Sequence, residues 1–209
     1  MISVITTDAE IDPSLLREIF ARSLNQSFNR ITVDGDTSTN DTVICLANGR
    51  SGAVIETGGD SERLFQNALD RVTGDLARMI AADGEGAGRF VEIRVRSAGD
   101  DDNARLAADA VANSVLFKCA LHGQSPNWGR ILAALGYSGA EFDPSQVDVF
   151  LEDRPIIREG LVVSDPDSEV KKALASDRLR FIIDLGRGEG EDVYYTCDMT
   201  PEYVEFNKD

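Results

Sequence analysis

Between Ser61 and Ala81 apolar residues fall at Leu64, Phe65, Leu69, Val72, Leu76 and Ile80. That three-to-four spacing predicts a long helix with one apolar side. Asp12-Pro13 predicts a second helix start, with Asp at the cap and Pro in the first turn, and Leu15, Leu16, Ile19, Phe20 and Leu24 give it an apolar face. Arg89 to Ser97 alternates strictly: Val91, Ile93 and Val95 on one side, Glu92, Arg94 and Arg96 on the other. This is the pattern of a half-buried strand. Ile2 to Thr6, Phe28 to Val33 and Thr42 to Ala47 also read as strands, and Asp102 to Leu116 reads as an alanine-rich helix whose small side chains allow close packing.

The texture changes beyond His122. Gly123 to Gly129 is rich in turn formers, and Trp128 to Leu135 reads as a short helix closed by Gly136. Strand-like runs follow at Val147 to Leu151, Gly160 to Val163, Arg178 to Asp184 and Asp192 to Cys197, with Asp165-Pro166 expected to open a helix through Ala175. Helices and strands are interleaved but irregular, so the expected class is α+β. A soft boundary is expected near residue 125, separating 1–125 from a smaller lobe, 126–209.

Two polar breaks stand out from this pattern. Ser27 to Asp41, SFNRITVDGDTSTND, runs from an apolar segment into small polar residues. Asp34-Gly35 and Asn40-Asp41 are turn formers, and Thr37, Ser38 and Thr39 place three hydroxyls in a row. Such a stretch is held by side-chain bonds to nearby backbone or stands in solvent. A polar loop between apolar segments is a common place for a functional site. The second break is Asp83-Gly84-Glu85-Gly86, after the long helix.

The chain has 209 residues, enough for one domain with a sizeable core or a domain plus a small lobe. Its net charge of -16 argues against nucleic acid and anionic membranes as partners, since both need basic patches. No apolar run is long enough for a membrane span. The three cysteines, Cys45, Cys119 and Cys197, are scattered without CxxC spacing, which reads as a reduced, cytoplasmic protein with the thiols as small buried apolar groups. The single histidine, His122, has no acidic cluster at helical spacing and reads as a surface or interface residue, so no metal site is expected.

Several segments, in order, are similar to those of one family: ITTDA (Ile5 to Ala9), the SFNRITVDGDTSTND tract, GRSGA (Gly49 to Ala53), GEGAGRFVEIRV (Gly84 to Val95), NWGRILAALG (Asn127 to Gly136) and TCDMTPEYVEFN (Thr196 to Asn207). The sequence resembles the ornithine acetyltransferases, or glutamate N-acetyltransferases, from its first residues to its last. The resemblance implies a precursor that cuts itself just before a threonine, which becomes the first residue of the β chain and its nucleophile. That threonine is expected immediately before Met1; Met1 as an ordinary initiator is the alternative. It also implies acetyl transfer from N-acetylornithine to glutamate through an acetyl-threonine intermediate, in an αββα four-layer sandwich shared with an α chain, plus a smaller C-terminal lobe. The expected assembly is α₂β₂, with the oxyanion hole on the α chain.

Two substrate-binding residues carry over by motif: Glu85 of GEGAGRF and Asn207 of EFN. A carboxylate at Glu85 suits a substrate amino group. Members of the family usually continue past the Asn207 motif, so the present sequence reads as a β chain with ragged ends. No cofactor is implied, and acetyl-CoA stays open as an alternative acetyl donor. A terminal threonine needs no histidine, because its own α-amino group titrates near neutrality and can take the hydroxyl proton. Two other readings stay open: a related amidohydrolase in which water takes the acetyl group, and a non-catalytic binding or scaffold domain beginning at Met1.

Overall fold

The computed structural model describes residues 1–163 and 168–208. The fold is α+β. It divides into two compact units: Met1–Arg30 with Asp36–Arg78, and Ile31–Gly35 with Met79–Asp209.

In the first unit, strand β1 (Ile2–Thr7) pairs in parallel with β3 (Thr42–Ala47), and β2 (Glu10–Ile11) pairs in parallel with β4 (Val54–Ile55). Helix α1 (Pro13–Asn25) begins as its sequence predicts, with the Asp12 carboxylate accepting from the amides of Ser14 and Leu15. Helix α2 (Asp60–Ala82) covers the long periodic stretch. Ile5, Leu15, Ile19 and Leu69 form the small core here, with Val43, Cys45, Phe65 and Leu76 packed on it. A polar seam joins the two helices: Ser23 Oγ donates to Asp70 at 2.6 Å, and Gln66 Nε2 donates to Ser23 and Asp70. The opposite face of the β1–β3 pair is apolar yet exposed, with Ile2 at 77%, Val4 at 57% and Leu46 at 55%.

The second unit is built on a six-stranded mixed sheet. It contains β5 (Phe90–Ala98), β6 (Asp148–Leu151), β7 (Arg154–Arg158), β8 (Leu161–Val162), β9 (Arg178–Asp184) and β10 (Gly190–Cys197), in the order β10-β5-β9-β6-β7-β8. Only β5 and β9 are parallel. The alternation of β5 places Val91, Ile93 and Val95 at 0% exposure in the main core. Helix α3 (Asp101–Ala112) lies against this face through Ala104, Ala107, Ala108 and Val111, the small side chains allowing close approach. Helix α4 (Val115–His122) adds Phe117, and Trp128 stands at the N-terminal cap of α5 (Gly129–Tyr137); their rings pack on Phe181 at 5.1 and 6.1 Å. Each large apolar side chain fully buried here contributes roughly 1.5–3 kcal/mol. Helices α6 (Ser168–Leu174) and α7 (Pro201–Phe206) complete the unit.

Several expectations are corrected. Phe28 to Val33 is not a strand: Ser27 Oγ bonds back to Ser23 O, the chain continues as a 3-10 turn at Phe28–Arg30, and only Ile31 bridges to Tyr195. The alanine-rich helix ends at Ala112, and Ser114 caps a new helix by accepting from the Phe117 amide. Gly136 lies inside α5, which closes at Ser138 instead. Strand β7 lies between two of the expected strand-like runs and was not expected. Cys119 is exposed, whereas Cys197 is buried. Asp165-Pro166, expected to open a helix, lies outside the described residues; helix α6 is described from Ser168. Residue 125 falls inside the second unit, since β5 pairs with both β9 and β10 across it.

Candidate active site

Glu85 and Asn207 meet. Asn207 Nδ2 donates to Glu85 Oε2 at 2.8 Å and also to Tyr203 O at 3.0 Å. Glu85 sits on the turn between α2 and β5, and Asn207 closes the C-terminal end of α7. Both side chains are exposed.

The turn and the helix are locked together. Gly86 has φ +66°, and a Cβ there would stand 2.6 Å from Tyr203 N, so the start of α7 lies directly on the turn's backbone. Gly84 is similarly crowded: a Cβ would meet Cys197 Sγ at 3.0 Å and Val33 at 3.2 Å. The Thr200 hydroxyl donates to Gly86 O at 2.7 Å and accepts from Tyr203 N at 3.3 Å. Tyr203 OH donates to Asp34 Oδ2 at 2.9 Å, so residues 203 and 207, one helical turn apart, each reach a carboxylate.

Beneath the turn, Asp198 Oδ1 accepts from the amides of Gly88 and Arg89 at 2.8 and 2.9 Å. Its Oδ2 faces Arg89 Nη1 at 3.5 Å and His122 Nδ1 at 3.4 Å, with the carboxylate fully buried. His122 therefore belongs to a buried carboxylate's surroundings, although 43% of its side chain stays exposed. The expected surface or interface residue is thus partly exposed, and its contact with Asp198 is an addition from the structure.

Lys118, 1% exposed, donates to Thr196 Oγ1 at 2.7 Å and lies 3.8 Å from Cys197 Sγ. Burial holds this amine below its ordinary value of 10.5, and Cys197, Asp198 and Asp34 draw it part of the way back. Burial pushes the Cys197 thiol up, so it is neutral at physiological pH. The sign of the lysine effect follows from linkage. The unfolded chain holds the Lys118 proton up to a higher pH than the folded chain does, so between the two values the unfolded state binds more protons. The penalty for the buried ammonium is therefore full below the lowered value and declines as pH rises through it toward the ordinary one. Urea midpoints measured from neutral pH to about pH 10 should rise for the wild type relative to Lys118→Met. Parallel curves would disprove this.

In the first unit the polar tract is self-held. Ser38 N donates to Asp41 Oδ2 at 2.9 Å, Asn40 N donates to Ser38 Oγ at 3.2 Å, and Met1 N contacts Asp41 Oδ1 at 2.6 Å. Among the described residues no group of three or more His, Cys, Asp or Glu could hold a metal ion, and no helix is long and apolar enough to cross a membrane.

A model of the ArgJ family matches residues 1–209. The chain belongs to the ArgJ family. Its relatives include the glutamate N-acetyltransferase of Methanocaldococcus jannaschii, 46% identical over 215 residues that cover 99% of this chain and 53% of the relative. Another is the arginine biosynthesis bifunctional protein ArgJ of Chlorobaculum tepidum, 44% identical over 207 residues, 99% of this chain and 51% of that protein. The chain thus spans about half the length of the curated relatives it matches. The crystal structure of the arginine biosynthesis bifunctional protein ArgJ from Bacillus halodurans superposes with a TM-score of 0.95 at 36% identity, covering 100% of this chain and 99% of that one.

Sequence reasoning found the two residues of this ArgJ chain that meet, but passed over those that hold them. Thr200 had a usable signal, a Thr-Pro helix start. Asp198 and Lys118 had none, because their partners are distant in sequence.

Proposed function

We propose that this chain is the β part of an enzyme that moves acetyl from N-acetylornithine to glutamate. The observation that carries the reading is the meeting of Glu85 and Asn207, separated by 122 positions, at 2.8 Å. They are the two positions that the family resemblance assigns to substrate. A carboxylate fixed by an amide is a suitable partner for the substrate's free ammonium group.

The nucleophile is the threonine expected immediately before Met1. Its hydroxyl oxygen attacks the acetyl carbonyl while the threonine's α-amine takes the hydroxyl proton. The bond to the substrate nitrogen breaks, ornithine leaves with that proton, and acetyl-threonine remains. Glutamate's amine then attacks the ester, forming N-acetylglutamate and restoring the hydroxyl. Thr42 N donates to Met1 O at 3.0 Å, which holds Met1 next to the end of the polar tract.

The partner is the remainder of a precursor about twice this chain's length. A two-stranded parallel pair with one apolar face exposed is unusual, since parallel sheets are normally covered on both faces. An αββα sandwich completed by an α chain supplies that cover, and α₂β₂ is the expected assembly. Arginine biosynthesis in the cytoplasm fits the names of the relatives and the reduced cysteines. The decisive assay uses the complete two-chain enzyme with N-acetylornithine, with and without glutamate. Ornithine release is expected to require glutamate and to yield N-acetylglutamate in equal amount. Release at the same rate without glutamate would mark a hydrolase instead.

A further inference from the structure

We propose that Thr200 is a positioning residue for the acetyl-donor site, its hydroxyl fixing the Glu85 turn against the helix that carries Asn207. The inference rests on the reading of Glu85 and Asn207 as substrate contacts. Thr200 is 5% exposed and uses its hydroxyl in both directions. As an acceptor it takes the Tyr203 amide at 3.3 Å, the ordinary duty of a helix cap. As a donor it gives its proton to Gly86 O at 2.7 Å, on the residue next to Glu85. Capping needs only the acceptor; the donated bond is an additional tie between two segments separated by 114 positions.

The rest of the turn is built so that this tie matters. Gly86 lets the helix start lie on its backbone, leaving no side chain to wedge the two apart. The far end of the turn is fixed by Asp198, which holds the amides of Gly88 and Arg89. The near end, where Glu85 projects, is held to α7 by the Thr200 hydroxyl and by the Asn207 amide. Without the Thr200 bond, Glu85 and Asn207 keep their chemistry but lose a fixed separation. Neither residue acts on the bond being broken, so the loss belongs in KM for N-acetylornithine and not in kcat.

The test separates capping from the tie. Aspartate caps helices well but has no proton to donate at neutral pH, whereas serine does both. In the complete two-chain enzyme, Thr200→Asp should raise KM for N-acetylornithine about five- to ten-fold with kcat within about two-fold, and Thr200→Ser should restore wild-type KM. Thr200→Val, which removes both bonds, should raise KM for N-acetylornithine at least as far as Thr200→Asp in the same assay, and a wild-type KM there would equally overturn the role. Added to Glu85→Gln, Thr200→Asp should cost less than about two-fold more, because both act on the same contact. A wild-type KM in Thr200→Asp, a loss confined to kcat, or a full additional loss on top of Glu85→Gln would overturn the role of Thr200. An inert Glu85→Gln would instead overturn the site reading beneath it.

Discussion

Replacing the threonine expected immediately before Met1 with alanine should abolish acetyl transfer and leave the precursor uncut. The motive is the resemblance of Met1 to Ala9 to the family segment that follows the nucleophile, and the chain's other reactive groups agree with it. It has one histidine, and that side chain faces the buried Asp198 carboxylate together with Arg89. The Cys197 thiol is held neutral by burial. The terminal amine is the base such a hydroxyl needs. Removing a covalent nucleophile costs a thousand-fold or more, roughly, because the groups of such a machine act as a unit. A positive counterpart should accompany this loss. Wild-type enzyme quenched during turnover with N-acetylornithine should carry one acetyl group on the hydroxyl of that threonine, located by peptide mapping. Acetyl on an internal residue, or full activity from a β chain that truly starts at Met1, would end the proposal.

Much of the fold was legible because local patterns are local physics. The alternation of β5 was read directly, since a half-buried strand writes its two faces into every second residue. The α1 start was equally plain, because Asp12-Pro13 satisfies orphan amides with no distant help. Failures came where a single polar side chain redirected the backbone. Ser114 caps a new helix inside what reads as one alanine-rich run, and Ser27 turns the chain out of extended geometry before Phe28. Periodicity weighs apolar spacing and is blind to such bonds. The change of texture near residue 125 is real in sequence. The sheet ignores it, because β5 finds β9 and β10 far down the chain.

The site divides in the same way. Glu85 and Asn207 lie within recognisable motifs, but their contact needed the structure. The residues that hold them could not be read out. Asp198 looks like any acid until its oxygen is seen taking two amides of the Glu85 turn, and Lys118 looks like a surface lysine on a short helix. Buried polar groups are tolerable only when their partners are in place, and those partners are supplied by topology.

Glu85→Gln should raise KM for N-acetylornithine while leaving the fold and self-cleavage intact. Glu85 is exposed on a turn between two glycines, so little packing is lost with the charge. The amide can still accept from Asn207 Nδ2, which preserves the local geometry while removing the attraction for an ammonium group. A charge-assisted contact of this kind contributes roughly 1.5–3 kcal/mol, which corresponds to about ten- to a hundred-fold in kcat/KM. The proposed self-cleavage needs no bound substrate, so both chains should still appear on a denaturing gel. The loss should also shrink for a donor whose distal ammonium is replaced by a neutral group, because the carboxylate then has nothing to attract. Unchanged kinetics with N-acetylornithine, or an equal loss with the neutral donor, would remove Glu85 from the recognition of that charge.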